Sequence, residues 1–217
     1  MLIHGIVEEI HREMRPFTMI GPGRFTEILK LSFEMKSTPG DIVECGTWKG
    51  GMLAGIMKIM GQDRIYWGYD SFEGLPPAKA IDGEAAIAYQ KNVSDPYYND
   101  NCSAEQKWIE SLFQEVPTLL RVVPGWFQET MSIAENLPGD IAILHLDGDW
   151  YESTMTCLTA LYPRVVPNGL IILDDYSYWL GVKRAVHTYF NNEGLEIQIE
   201  EKNGVYFFRK PTIVEQV

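Results

Sequence analysis

Cysteine is scarce in this chain of 217 residues, with Cys45, Cys102 and Cys157 the only three. They are too few and too scattered for a disulfide framework or a zinc site, and they read as small buried or loop thiols. Basic charge is also short: 18 Lys and Arg stand against 30 Asp and Glu, a formal net charge of −12. That balance excludes nucleic acid and anionic membrane as expected partners, since phosphate neutralisation needs clustered cations. No apolar run reaches the roughly 18 residues that cross a bilayer. The first segment, MLIHGIVEEIHREM, carries acids where a signal peptide would keep an apolar core, so a cytoplasmic location is expected. Internal repeats and low-complexity tracts are lacking as well. What remains is an ordinary globular composition, 46% apolar and 12% aromatic. It is long enough for one domain over residues 1–217 that buries roughly two-thirds of its unfolded surface.

Residues 1–40 read as a helical preface. Leu2, Ile3, Ile6, Val7, Ile10 and Met14 recur at helical spacing over 2–14, and a second helix is expected from about Arg24 to Met35, after Pro22-Gly23. The first helix can pack on its own domain or on a partner, so a homo-oligomer is left open. From Asp41 to 210 the pattern becomes α/β. Apolar runs at 42–46, 65–70, 119–123, 141–147 and 170–175 alternate with helical stretches near 50–60, 103–115, 128–136, 152–161 and 180–192. Continuous apolar runs suit strands buried on both faces, and their alternation with helices indicates a doubly wound, mostly parallel sheet. EIQIE and VYFFR flank Lys202-Asn203-Gly204 and predict a C-terminal antiparallel hairpin. The polar stretch 74–102, with Pro76, Pro77, Gly83 and Pro96, has the length of a functional lid or active-site loop.

Chemistry concentrates at strand ends. Glu44-Cys45-Gly46-Thr47-Trp48-Lys49-Gly50-Gly51 joins the first strand to its helix, where open α/β sheets bind ligands. Its spacing is G-x-x-x-G-G, and Trp48 fills the place a pyrophosphate needs small. Dinucleotide binding is therefore disfavoured, whereas a nucleoside without phosphates fits; a plain packing turn is the alternative. Asp70 ends the second strand 24 residues after Gly46. An acid about 20 residues beyond such a loop can accept hydrogen bonds from ribose hydroxyls, although a solvated strand-end acid would look the same. Trp126, after Pro124-Gly125, could stack on a purine, and with Phe127 it could equally be core.

The sharpest constellation is acidic. Asp147 and Asp149 follow one strand, and Asp174 and Asp175 close the next. Acids that converge at one sheet edge without a basic partner repel one another unless a cation sits among them. An all-oxygen set suits Mg²⁺, Mn²⁺ or Ca²⁺; caps on the following helices are the alternative. His145 and His187 have no sequence partner that would make either a base, and they read as packed or exposed.

In this order, ECGTWKGG, YDSFEGLP, PGWFQETM, LHLDGDWYEST and LDDY resemble the macrocin O-methyltransferase family of antibiotic-tailoring enzymes, from about Phe17 to Phe208. The resemblance implies a Rossmann-like methyltransferase sheet and dependence on S-adenosylmethionine and a divalent metal. It implies Asp147, Asp174 and Asp175 as metal ligands and Asp149, in DGD, as general base. Glu44, Gly46, Thr47 and Gly51 would hold the methionine end of the cofactor. Asp70 would take its ribose, with Ser71, Phe72, Gly125, Trp126 and Asp147 completing the cofactor set. Thr18 and Met19 match a segment that closes over it. The family often has Arg where His145 stands and an acid where His187 stands. A small-molecule acceptor with vicinal oxygens, such as a glycosylated natural product, is then the expected partner. Two readings compete: a metal-dependent α/β hydrolase or other nucleotide-using enzyme, and a binding protein of the same fold that has lost catalysis.

Overall fold

The computed structural model describes residues 2–95 and 98–212. Pro96, which belongs to the expected loop, and residues 213–217 of the expected domain lie outside that range. Helices α1 (Leu2–Met14) and α2 (Pro22–Glu34) precede a seven-stranded sheet. Its strands are β1 (Asp41–Cys45), β2 (Tyr66–Asp70), β3 (Leu120–Pro124), β4 (Ile141–Leu146), β5 (Val165–Leu173), β6 (Glu200–Lys202) and β7 (Val205–Arg209). The spatial order is β3-β2-β1-β4-β5-β7-β6, parallel from β3 to β5, with β7 antiparallel to β5 and β6 antiparallel to β7. This is the doubly wound sheet with a C-terminal antiparallel hairpin that the sequence pattern implies.

Successive strand residues face opposite layers. Ile42, Ile143, Leu170 and Ile172 pack against Phe25, Ile28, Leu53 and Ile56, on the side of α1, α2 and α3 (Gly51–Met60). Val43, Cys45, Leu144, Ile171 and Leu173 pack on the other side, where α7 (Tyr151–Leu161) and α8 (Leu180–Asn192) supply Leu158, Leu161, Val186 and Phe190. Each such side chain stabilises the fold by about 1.5–3 kcal/mol relative to exposure. Val7, Ile10 and Met14 of α1 belong to the first layer, so this helix packs on its own chain. Among the described residues no helix is long and apolar enough to cross a membrane.

Strand order reverses between β1 and β4, which opens a crevice at their carboxyl ends. The ladder runs one residue past the strands there. Gly46 N–H donates to Tyr69 O (2.8 Å), Asp147 N–H to Cys45 O (2.8 Å) and Asp174 N–H to Leu146 O (2.9 Å). The glycine loop and both acidic pairs thereby share one edge.

Several expectations are corrected. The helix expected over 103–115 is confined to α5 (Lys107–Leu112), and that over 128–136 to α6 (Phe127–Thr130) with a short 3-10 turn at Ala134–Asn136. EIQIE contributes only Glu200 to β6, because the edge strand pairs with β7 only next to the turn, at Asn203 (φ 52°) and Gly204 (φ 79°). The 74–102 stretch has structure of its own in α4 (Glu84–Lys91). It is clasped at its root: Leu75 N–H donates to Asn101 O (2.9 Å) and Asn101 Nδ2 to Leu75 O (2.8 Å). It is also fixed to the body, where Tyr151 N–H donates to Asp82 Oδ1 (2.7 Å) and Arg184 Nη1 to Ile81 O (2.8 Å).

Candidate active site

The crevice holds an open cavity of about 220 Å³ bounded by the glycine loop, the strand ends, residues 17–20 and 74–76. Gly46 has φ +91°, and a Cβ there would collide with the carbonyl oxygen of Asp147, so the loop can pass β4 only as glycine. Gly51 supports the rim differently, since a Cβ would lie 2.5 Å from Phe17 O and push the 17–20 segment off the cavity. Asp70 is buried and accepts from Trp48 N–H and Phe72 N–H, both at 2.7 Å. These donors come from residues with left-handed backbones, Trp48 at φ 48° and Phe72 at φ 59°. Burial raises the Asp70 pKa to about 6 against the pull of those N–H groups. Each carboxylate oxygen keeps lone-pair capacity toward the cavity.

The acidic side is more crowded. One oxygen each of Asp147, Asp149 and Asp175 can lie within 4.8 Å of the others, and His145, Asp147 and Asp174 form an overlapping group. Loss of solvent pushes the pKa of Asp147 and Asp175 well up, and the neighbouring carboxylates push it further. Asp149 is raised to about 6, again chiefly through lost solvent. Asp174 goes the other way: burial is outweighed by His145 and Arg24, and its pKa falls.

These two cations were not legible in the sequence. Arg24 of α2 places Nη2 2.5 Å from Asp174 Oδ2 and donates to Asp174 O at 2.9 Å. The acids therefore have a basic partner after all, supplied 150 residues upstream. His145 is fully buried, with Nδ1 2.9 Å from Glu44 Oε1 and Nε2 3.7 Å from Asp174 Oδ1. Burial opposes its charge, yet the two carboxylates win and lift its pKa to about 9. At 3.7 Å the Asp174 contact is an ion pair rather than a hydrogen bond. His145 is thus packed, as expected, and it gains carboxylate partners that its sequence neighbours do not show. Its partners lie on a neighbouring strand and past the end of the next one, which the sequence order hides.

Thr18, Met19, Glu44, Gly46, Thr47, Asp70, Ser71, Gly125, Trp126, Asp147, Asp149, Asp174 and Asp175 all line the cavity. Gly51 and Phe72 do not line it; they shape the loop and orient Asp70. Trp126 faces the cavity, whereas Phe127 also joins the core. Cys45 and Cys157 are buried free thiols, and Cys102 lines the cavity. The lining also includes Arg24, expected only as a helix start, and Leu75 and Pro76, from the stretch expected to form a lid or active-site loop.

The donor set fits an oxygen-seeking cation. Asp174 Oδ1 and Glu44 Oε2 are buried without hydrogen-bond partners, and three carboxylates converge without enough positive charge to balance them.

A model of the macrocin O-methyltransferase (TylF) family matches residues 12–210. Demethyldecarbamoylnovobiocin O-methyltransferase of Streptomyces niveus is 33% identical over 93% of this chain and 81% of its own length. Mycinamicin III 3''-O-methyltransferase of Micromonospora griseorubida is 34% identical over 88% of this chain and 78% of its own. The solved structure of the O-methyltransferase NovP superposes with a TM-score of 0.73 at 30% identity, covering 90% of this chain and 83% of that one.

Proposed function

Since the chain belongs to the macrocin O-methyltransferase family, we propose that it transfers a methyl group from S-adenosylmethionine to a hydroxyl of a sugar or polyhydroxylated natural product, with a divalent cation, Mg²⁺ first among candidates, held by Asp147, Asp174 and Asp175. The observation that carries this reading is the charge imbalance of the site. Six carboxylates (Glu44, Asp70, Asp147, Asp149, Asp174 and Asp175) line the cavity against two cationic side chains, Arg24 and His145, which leaves four negative charges when all are ionised. A divalent cation together with singly positive S-adenosylmethionine offsets three of those four charges. It also accounts for carboxylates whose protons are otherwise hard to remove.

Each residue then has a role. Asp70, pre-set by Trp48 and Phe72, presents its free lone pairs to ribose hydroxyls. The Glu44–Thr47 turn receives the methionine end, and Thr18 and Met19 cover it. When bound, the cation supplies Lewis-acid charge that lowers the pKa of an acceptor hydroxyl. Bound S-adenosylmethionine would supply the activated methyl group and keep the C–S electrons on sulfur, and Asp149 would take the proton of the acceptor hydroxyl. Near pKa 6, Asp149 is a better base than an ordinary carboxylate. The 74–102 excursion excludes water as a lid.

Calorimetric titration with S-adenosylhomocysteine, followed by mass spectrometry of glycosylated acceptors incubated with S-adenosylmethionine, tests the reading. Binding and the gain of one methyl group are expected. Failure to bind at millimolar ligand would contradict it.

A further inference from the structure

Asp149 stands close enough to Asp147 and Asp175 to serve as a third ligand in a cation site of its own. Such a role would spoil it as a base, because a carboxylate held on a cation gives up its lone pairs and its proton affinity. The structure contains a device that decides between the two. The indole Nε1–H of Trp179 donates to Asp149 Oδ1 at 2.8 Å. An indole is a donor only, so it holds Oδ1 in place and leaves Oδ2 for the proton, while lowering the carboxylate's own proton affinity.

The indole is itself held on three sides. Its ring meets Trp150 edge-on at 5.2 Å and Tyr89, from α4 of the excursion, at 5.6 Å. Its backbone N–H donates to Asp175 O at 3.0 Å. Asp149 meanwhile has a left-handed backbone, φ 58°, a conformation that persists only where the surroundings impose it.

We propose that Trp179 is a positioning residue that keeps Asp149 outside the cation's ligand set and oriented to receive the acceptor's proton. The inference rests on the cation and base roles proposed above. It adds that the excursion, through Tyr89, braces the group that sets the base.

Mn²⁺ titration followed by electron paramagnetic resonance tests it without any acceptor. The wild type, Trp179→Phe, Asp149→Asn and the double variant are compared, each with S-adenosylhomocysteine affinity as a check on the folded site. Trp179→Phe should bind Mn²⁺ more tightly, by roughly tenfold, the scale of changes to groups that orient metal ligands. That gain should vanish when Asp149→Asn is already present, and S-adenosylhomocysteine affinity should stay within about twofold. Unchanged or weaker Mn²⁺ binding in Trp179→Phe, or a gain that survives Asp149→Asn, would overturn the inference. So would loss of S-adenosylhomocysteine binding in Trp179→Phe, which would make the indole a fold element. If no protein in the set binds Mn²⁺, the cation reading itself fails and takes this inference with it.

Discussion

Glu27 and Asp147 are both carboxylates withdrawn from water, and their neighbours treat them in opposite ways. Glu27, on α2, has Lys202 Nζ at 2.8 Å, and it accepts from Asn203 Nδ2 at 2.9 Å and Lys30 Nζ at 3.4 Å. Those donors outweigh its burial and lower its pKa, so it stays charged and ties α2 to the β6–β7 turn. Asp147 has carboxylates for neighbours, and its pKa is driven up. Surface-like pairing stabilises the first region at the expense of any ligand site. The second region keeps its charge unbalanced, which costs stability in the free protein and leaves a place for cationic ligands.

The largest break in this contrast should come from Asp147→Asn. Methyl transfer should fall by about two orders of magnitude or more, the scale expected for a lost metal ligand. In chelator, however, the variant should be more stable than the wild type by about 1–2 kcal/mol, because a poorly solvated charge among like charges is gone. Urea unfolding with and without Mg²⁺ reads both effects, and added Mg²⁺ should stabilise only the wild type.

Glu27→Gln should do the reverse: little change in turnover and a loss of about 1–3 kcal/mol at neutral pH. The folded pKa of Glu27 lies below its unfolded value, so its stabilisation is complete above that unfolded value. It is lost as pH falls through the folded pKa. The penalty of Glu27→Gln should therefore shrink below about pH 4, and denaturation curves at a series of pH values would show it.

At the small end stands Lys79, 2.6 Å from Glu152 on the open surface, with both side chains more than half exposed. Lys79→Ala should shift stability by less than about 0.5 kcal/mol. A larger loss by thermal unfolding would show that this pair braces the excursion.

The sheet was legible because strands covered on both faces leave continuous apolar runs, and the acids were legible because they close those runs. Their partners were not. Arg24 reaches Asp174 across 150 residues, His145 reaches Glu44 across 101, and Trp179 reaches Asp149 across 30, all through the fold rather than along the chain. Nothing local marks Arg24 as the counter-charge among the basic residues of the preface. Two helices were expected too long: α5 ends at Leu112 and α6 at Thr130, while the apolar spacing runs on past those limits.

If the unbalanced carboxylates hold a divalent cation, O-methyl transfer should depend on it. The most direct test is methyl transfer to a glycosylated acceptor after exhaustive treatment with EDTA, with Mg²⁺ then restored. Chelation should abolish turnover and Mg²⁺ should return it, while S-adenosylhomocysteine still binds the chelated protein. Full turnover in the metal-free protein would contradict that dependence.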